Sequence, residues 1–221
     1  MRKRTDMKST LKKIVCITLA LVLSMGVMLS LSSCGKYKED TSTERKDTYY
    51  VLMEIKDYGN IIVKLDAVAA PATVANFVKL VREDFYDGLT FHRVMSNFMI
   101  QGGCPRGDGT GSSSQKIPGE MANNLYFGNY IKHERGVISM ARPGGNYDGA
   151  SCQFFICNSN SPSVKALDDE YAAFGHVIEG MDIVDKITAD TASYGLYNNG
   201  AISDKTKQVV IKEMTVILYE E

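Results

Sequence analysis

Three polar side chains draw attention because they sit inside apolar runs that read as strands. Arg93 and Gln101 lie in FHRVMSNFMIQGG (residues 91–103), and Gln153 lies in CQFFIC (residues 152–157). Arginine is rarely buried without a partner, so its place between Phe91 and Val94 asks for a reason. Side chains alternate between the two faces of a strand. Met99 and Gln101 should therefore share a face of FMIQ. Gln153 and Phe155 should share a face of CQFFIC, with Phe154 and Ile156 on the other. An arginine and two glutamines among Met and Phe side chains would make a mostly apolar pocket with a few polar directors. The plainer alternative is a barrel core with Arg93 at its rim, its stem packed and its head in water.

Other routes to catalysis are poorly furnished. Gly149-Ala150-Ser151-Cys152-Gln153 lacks the closing glycine of a nucleophile elbow. The glycine-rich Gly107-Asp108-Gly109-Thr110-Gly111 is not followed by the Gly-Lys-Ser/Thr of a P-loop. His92, His133 and His176 are isolated in sequence, without metal-ligand spacing, so neither a metal nor a cofactor is expected. Beyond Cys16 and Cys34, the cysteines are Cys104, Cys152 and Cys157, an odd number with no C-x-x-C pair. A strand between Cys152 and Cys157 would span roughly 16 Å at about 3.3 Å per residue, beyond disulfide reach. These two read as small buried hydrophobes, and Cys104 has no functional reading.

Such a pocket needs a rigid wall, and the chain between Tyr49 and Glu221 supplies one. YYVLMEIKDYGNIIVKLD gives two β-rich runs around Asp57-Tyr58-Gly59-Asn60, a hairpin signal. Pro71 opens APATVANFVKLVRE, where Val74, Phe77, Val78 and Val81 fall at i, i+3, i+4 and i+7. That spacing predicts an amphipathic helix with proline in its first turn, where a missing N–H costs nothing. From Thr90 to Gly180 come FHRV, FMIQGG, GVISMA, CQFFIC and AAFGHVI, broken by glycine-rich turns. Short strands at such intervals indicate an all-β barrel or sandwich. Met181, Val184 and Ile187 predict a second short helix, SYGLYNNGAISDK an exposed loop, and KQVVIKEMTVILYE a closing strand.

At 44% hydrophobic and 23% charged, the composition is that of a soluble globular protein, but the N-terminus stands apart. MRKRTDMKSTLKK carries six basic residues and one acid, and an uncharged apolar run follows from Ile14 to Cys34. A basic region before an apolar one is an export signal. Leu31-Ser32-Ser33-Cys34 is similar to the lipobox of bacterial lipoproteins, whose cysteine is lipidated and becomes the mature N-terminus. The small residues before Cys34 also suit an ordinary signal-peptidase site, and the run is near the length of an uncleaved membrane span. The expected organisation is a lipoprotein signal over residues 1–33, a lipidated Cys34 with a flexible polar spacer over 34–48, and one folded domain over 49–221. The domain would then lie outside the cytoplasm, tethered to the cell membrane. Losing six basic residues and one acid takes the formal charge from −1 to −6, which excludes nucleic acid as an expected partner.

The motifs converge on one family. FHRVMSNFMIQGG, Gly109-Thr110-Gly111, ISMAR (138–142), SCQFFI (151–156) and FGHVIEGMDIVDKI (174–187) closely resemble the cyclophilin peptidyl-prolyl cis–trans isomerases. The blocks follow that family's order, from about Tyr49 to the C-terminus. The resemblance implies a mainly β fold, a closed eight-stranded antiparallel barrel capped by two helices. It implies that Arg93 is catalytic and that Phe98, Met99, Phe155 and Leu167 hold the substrate proline ring. Gln101 and Gln153 would bind the peptide backbone, and Ala141 would line the adjoining groove. Arg142 stands at a backbone-contact position where asparagine is common, and Tyr171, where relatives often carry histidine, would keep the pocket wall. Ala166 replaces a tryptophan of many eukaryotic members, which implies weak cyclosporin binding without loss of isomerase activity. The implied partners are proline-containing peptides and unfolded exported proteins, and the implied state is a monomer. A proline-peptide binding module or holdase is the rival reading, and a barrel used only as a scaffold is a third; retention of Arg93 favours the enzyme.

Overall fold

The computed structural model describes residues 37–220, so the expected signal and the expected lipidation at Cys34 lie outside the described residues. Strands β2 (Thr48–Ile55) and β3 (Gly59–Asp66) form the expected hairpin, in register from Thr48↔Asp66 to Ile55↔Gly59. The chain turns where Asp57 and Gly59 take positive φ, which aspartate tolerates and glycine adopts freely. Helix α1 (Pro71–Arg82), β4 (Thr90–Met95), β5 (Met99–Gly102), β6 (Val137–Met140) and β7 (Phe154–Cys157) follow. Then come α2 (Pro162–Lys165), β8 (Ala173–Glu179), α3 (Met181–Thr191) and β9 (Val209–Leu218). The strands run antiparallel in the order β9-β2-β3-β8-β6-β7-β5-β4, and β4 returns to β9 through Thr90↔Val210 and Phe91↔Val209. Those pairs close an eight-stranded barrel and leave its strands without a long open edge.

Alternation fills the interior. Val51, Met53 and Ile55 of β2 and Ile61, Val63 and Leu65 of β3 point inward. Ile211, Met214 and Val216 do so from β9. The odd step from Ile211 to Met214 would break the alternation, and the pairing shift between Glu54 and Ile55 absorbs the extra residue as a bulge. Helix α1 packs on β9 and β3, burying Val74, Phe77, Val78 and Val81 as its spacing predicts. The Phe77 ring meets those of Tyr86, Phe154 and Phe174 at 5.1, 5.5 and 5.1 Å. Val184 and Ile187 of α3 enter the same core.

The first turn of α1 has no cap of its own. Instead the buried carboxylate of Glu120 accepts from Ala72 N and Thr73 N, each at 2.8 Å. A negative charge there satisfies two orphan N–H groups and suits the helix dipole. Glu120→Ala is expected to cost about 1–2 kcal/mol of stability; an unchanged urea midpoint would show that the cap is dispensable.

One expectation needs correction. The segment read as a flexible spacer up to Thr48 is ordered from Tyr37 onward. A short strand, β1 (Lys38–Glu39), pairs with Leu218 and Ile217 of β9, and Asp40 N donates to Val216 O at 2.8 Å. Tyr37 stacks on Tyr219 and donates its hydroxyl to Glu179, and buried Asp40 pairs with Lys46. A polar stretch without periodicity hid this, because its order comes from partners far away in sequence. The two expected helices stand as α1 and α3; α2 is an additional single turn that no periodicity announces, with Ser161 as its N-cap and Pro162 in its first turn.

Candidate active site

Register brings the singled-out residues together. Arg93 pairs with Gln101, Gln101 with Phe155 and Phe155 with Ser139. One row of side chains thus crosses four strands on the outer face of the barrel. Val94, Ile100, Phe154 and Ile156 point the other way, into the core. Phe91 also belongs to that core, although it lies two residues from Arg93 and should share its face. A bulge between Phe91 and Arg93 resolves the conflict: the extra residue, His92, re-aims Arg93 outward.

The row floors a cleft of about 320 Å³ lined by Arg93, Phe98, Met99, Gln101, Ala141, Arg142, Phe155, Leu167 and Tyr171. Nine of the ten predicted substrate-site residues therefore share one hollow. Behind it, Met99, Phe155, Leu167 and Val164 of α2 form an apolar cluster separate from the barrel core. Tyr171 meets Phe155 edge-on at 5.7 Å. Gln153, the tenth, lies in an adjoining hollow of about 390 Å³ that shares Gln101, Ala141 and Arg142 and adds Thr110, Ser112 and Lys116. Its Nε2 donates to Gly109 O and Gly111 O at 2.9 and 2.8 Å, and its Oε1 accepts from Gln101 at 3.0 Å. Buried Cys104 helps to hold the same loop, its Sγ 3.3 Å from Gly111 N.

Arg93 is held by two oxygen acceptors. Its Nε donates to Asn199 O at 2.8 Å and its Nη1 to Gln101 Oε1 at 3.3 Å. The guanidinium also lies beside the sulfurs of Met95 and Met99 and 6.0 Å from the Phe98 ring centroid. Burial lowers its pKa from the ordinary arginine value, yet arginine stays ionised. A guanidinium has five N–H donors, so donors remain for a ligand. Arg142 is spent differently. Its side chain is only 6% exposed, bonded to the Glu170 carboxylate at 2.9 Å and to Glu170 O at 3.0 Å. It lies between the Tyr147 and Tyr171 rings, 4.5 and 4.8 Å from their centroids, where it stiffens the cleft wall.

Two contributors gave no readable signal. Asn199 belongs to the loop of SYGLYNNGAISDK, for which sequence suggested only exposure. Buried His133 bridges Asp168 Oδ1 (3.1 Å) and Ser139 Oγ (3.0 Å) and stacks on Phe155, backing the cleft floor. Burial lowers the pKa values of His92, His133 and His176, with Asp168 opposing the shift at His133. The unfolded chain, with histidines near their ordinary value of about 6.5, binds protons that the native state refuses. Their contribution to stability is therefore complete above about pH 6.5 and is lost as pH falls below it. Urea midpoints should decline between about pH 7.5 and 5.5; a flat or rising profile would contradict the assignment. Cys104, Cys152 and Cys157 are free and buried, and burial pushes the Cys157 thiol up to about 12, so Cys152 and Cys157 behave as the expected small hydrophobes.

Comparison with known proteins agrees with this geometry. Residues 50–216 match the family described as cyclophilin type peptidyl-prolyl cis-trans isomerase. A peptidyl-prolyl cis-trans isomerase of Helicobacter pylori is 45% identical over 131 residues, 58% of this chain and 74% of that protein. Peptidyl-prolyl cis-trans isomerase B of Bacillus subtilis is 43% identical over 135 residues, 61% of this chain and 86% of its own. The crystal structure of a Cryptosporidium parvum cyclophilin type peptidyl-prolyl cis-trans isomerase superposes with a TM-score of 0.65 at 25% identity. It covers 78% of this chain and 99% of that one. With a matching barrel, a matching family profile and matching relatives, this chain belongs to the cyclophilin family and is a cyclophilin-type peptidyl-prolyl cis–trans isomerase.

Proposed function

We propose that Arg93 is the catalytic group, that the cleft beside it holds the substrate proline, and that the enzyme serves exported proteins at the outer face of the cell membrane. Rotation about a peptide bond faces a barrier of about 18–20 kcal/mol because resonance gives the C–N bond partial double-bond character. For X–Pro the isomers are close in energy, yet exchange takes tens to hundreds of seconds. In the twisted transition state resonance is lost and the prolyl nitrogen becomes a better hydrogen-bond acceptor. A guanidinium beside that nitrogen stabilises the twisted state more than the planar one, and only such differential binding accelerates the step. An apolar slot adds to this, since water favours the charge-separated planar amide. No covalent bond forms or breaks, so the reaction calls for no nucleophile and no cofactor.

The observation that carries this reading is a guanidinium anchored on one side by Asn199 O and Gln101, whose remaining N–H groups meet only the weak sulfur acceptors of Met95 and Met99 beside the Phe98 ring. The same Cryptosporidium parvum protein has also been crystallised in the presence of the dipeptide Ala-Pro, a ligand class that suits this slot. In this reading Phe98, Met99, Phe155 and Leu167 take the ring and Tyr171 walls it. Gln101 and the main chain near Ala141 and Arg142 take the peptide. Gln153 acts largely by holding the Gly109–Gly111 loop. Exchange NMR on an X–Pro peptide tests the assignment: acceleration supports it, whereas binding without acceleration would leave a proline-binding module.

The setting rests on the basic and apolar N-terminus and on Leu31-Ser32-Ser33-Cys34. Lipidation at Cys34 would hold the domain on the membrane, where exported chains emerge unfolded. Cys34→Ala is expected to abolish labelling by a fatty-acid probe, and undiminished labelling would refute lipidation there.

A further inference from the structure

Phe155 and Leu167 reach the cleft from different segments of the chain, and one buried side chain behind them is bound to both segments. His133 lies in the connection between β5 and β6, and its side chain is only 1% exposed. Its ring lies nearly parallel to that of Phe155, the planes 17° apart and the centroids 6.1 Å apart. Its main-chain N–H and its Nδ1 both meet Asp168 Oδ1, at 2.6 and 3.1 Å. Asp168 follows Leu167 directly, so this clamp fixes the backbone that carries Leu167 into the cleft.

The partners of the ring assign its proton. An ionised carboxylate only accepts hydrogen bonds, so Nδ1 carries the proton that faces Asp168. Burial favours the neutral imidazole, and Nε2, 3.0 Å from Ser139 Oγ, accepts the hydroxyl proton. Ser139 is fully buried and pairs across the sheet with Phe155. The far end of the ring is thus bonded to the strand beside the cleft floor. With both nitrogens engaged, the imidazole cannot tilt or slide without leaving a buried polar group unpaired. Phe155 is confined by His133 on one side and by Tyr171, edge-on at 5.7 Å, on the other. The segment after Leu167 has a second fastening, Lys132 Nζ to Asp169 Oδ1 at 3.2 Å. That pair is exposed, where an ion pair contributes little.

We propose that His133 is a positioning residue of the isomerase, which holds Phe155 and Leu167 at the separation that a proline ring requires. Proline is rigid, its φ fixed by the ring, so a slot grips it only while the walls keep their spacing. Removing the imidazole opens space behind Phe155 into which the ring can settle. The apolar grip is then lost in the planar and twisted states alike, so the loss falls on KM and not on kcat. Arg93 keeps its own anchors, Asn199 O and Gln101 Oε1. This rests on the cleft being the isomerase site, and it gives a role to a residue outside the lining of the cleft.

The test uses the full-length protein, exchange NMR on one X–Pro peptide, and urea unfolding. His133→Ala should raise KM by about five- to tenfold while kcat changes less than about twofold. Asp168 supplies a milder pair of variants if His133→Ala fails to fold. Asp168→Ala removes the clamp and should raise KM by about three- to fivefold. Asp168→Asn should recover most of that loss, because its amide oxygen still accepts from both His133 N–H groups. Lys132→Ala breaks only the exposed pair and should keep the wild-type kcat and KM. Nitrogen NMR of labelled histidine should find the His133 proton on Nδ1 in the wild type. Lower stability with an unmoved KM would make His133 merely structural and overturn the proposal. So would a fall in kcat at constant KM, an asparagine variant no better than alanine, or a proton on Nε2. A rise in KM for Lys132→Ala equal to that for Asp168→Ala would also overturn it, since any fastening of the segment would then serve. A wild type that binds the peptide without accelerating exchange would instead remove the isomerase reading, and the proposal with it.

Discussion

Replacing Arg93 by alanine is expected to lower kcat/KM for X–Pro exchange by about 10²- to 10³-fold, the usual cost of losing one preorganised donor to a transition state. Peptide affinity should change far less, because the apolar slot built on Phe98, Met99, Phe155 and Leu167 remains. Arg93→Lys should not restore the rate. Lysine keeps the charge, but the present guanidinium is placed by simultaneous bonds from Nε to Asn199 O and from Nη1 to Gln101 Oε1. An ammonium is a point charge on a flexible stem and cannot reproduce that fork. Exchange NMR at saturating peptide separates the two effects. A lysine variant with nearly full kcat would show that charge alone suffices and would sink the directional account.

The neighbours Phe154 and Phe155 should fail in opposite ways when each is changed to alanine. Phe154 is fully buried in the barrel, its ring 5.5, 5.7 and 6.0 Å from those of Phe77, Tyr86 and Phe91. Phe154→Ala should therefore cost about 3–5 kcal/mol, the range for a large-to-small change in a packed core. Phe155 floors the cleft, against His133 on one side and Tyr171 on the other. Phe155→Ala opens a space that water can enter from the cleft, so its stability loss should be smaller. Its main effect should be a rise in KM by about tenfold or more, since the ring supplies much of the apolar contact for proline. Urea unfolding and peptide titration of both variants decide the matter. Equal stability losses with equal binding would mean that the two residues do not face opposite sides.

That contrast also marks what was legible in advance. The period-two pattern of CQFFIC already assigns Phe154 and Phe155 to different faces, because strand geometry is local. The helical spacing of Val74, Phe77, Val78 and Val81 gave α1 for the same reason, and the ordered motif blocks gave the barrel and the isomerase family. Alternation by itself misleads at Arg93, which it would put on the face of Phe91. Only the bulge at His92, produced by pairing with β5, turns the guanidinium outward. The ordered arm from Tyr37, the carboxylate of Glu120 at the start of α1, and the support of Arg93 by Asn199 across 106 positions are likewise invisible in sequence. Each is a polar contact between segments distant in the chain, with no periodicity to announce it. The sequence by itself therefore determined the barrel strands, the two long helices and the residue types the chemistry needs, since these follow from local pattern. The tertiary structure decided which way Arg93 points and what holds it there, because those depend on where closure of the barrel brings distant loops.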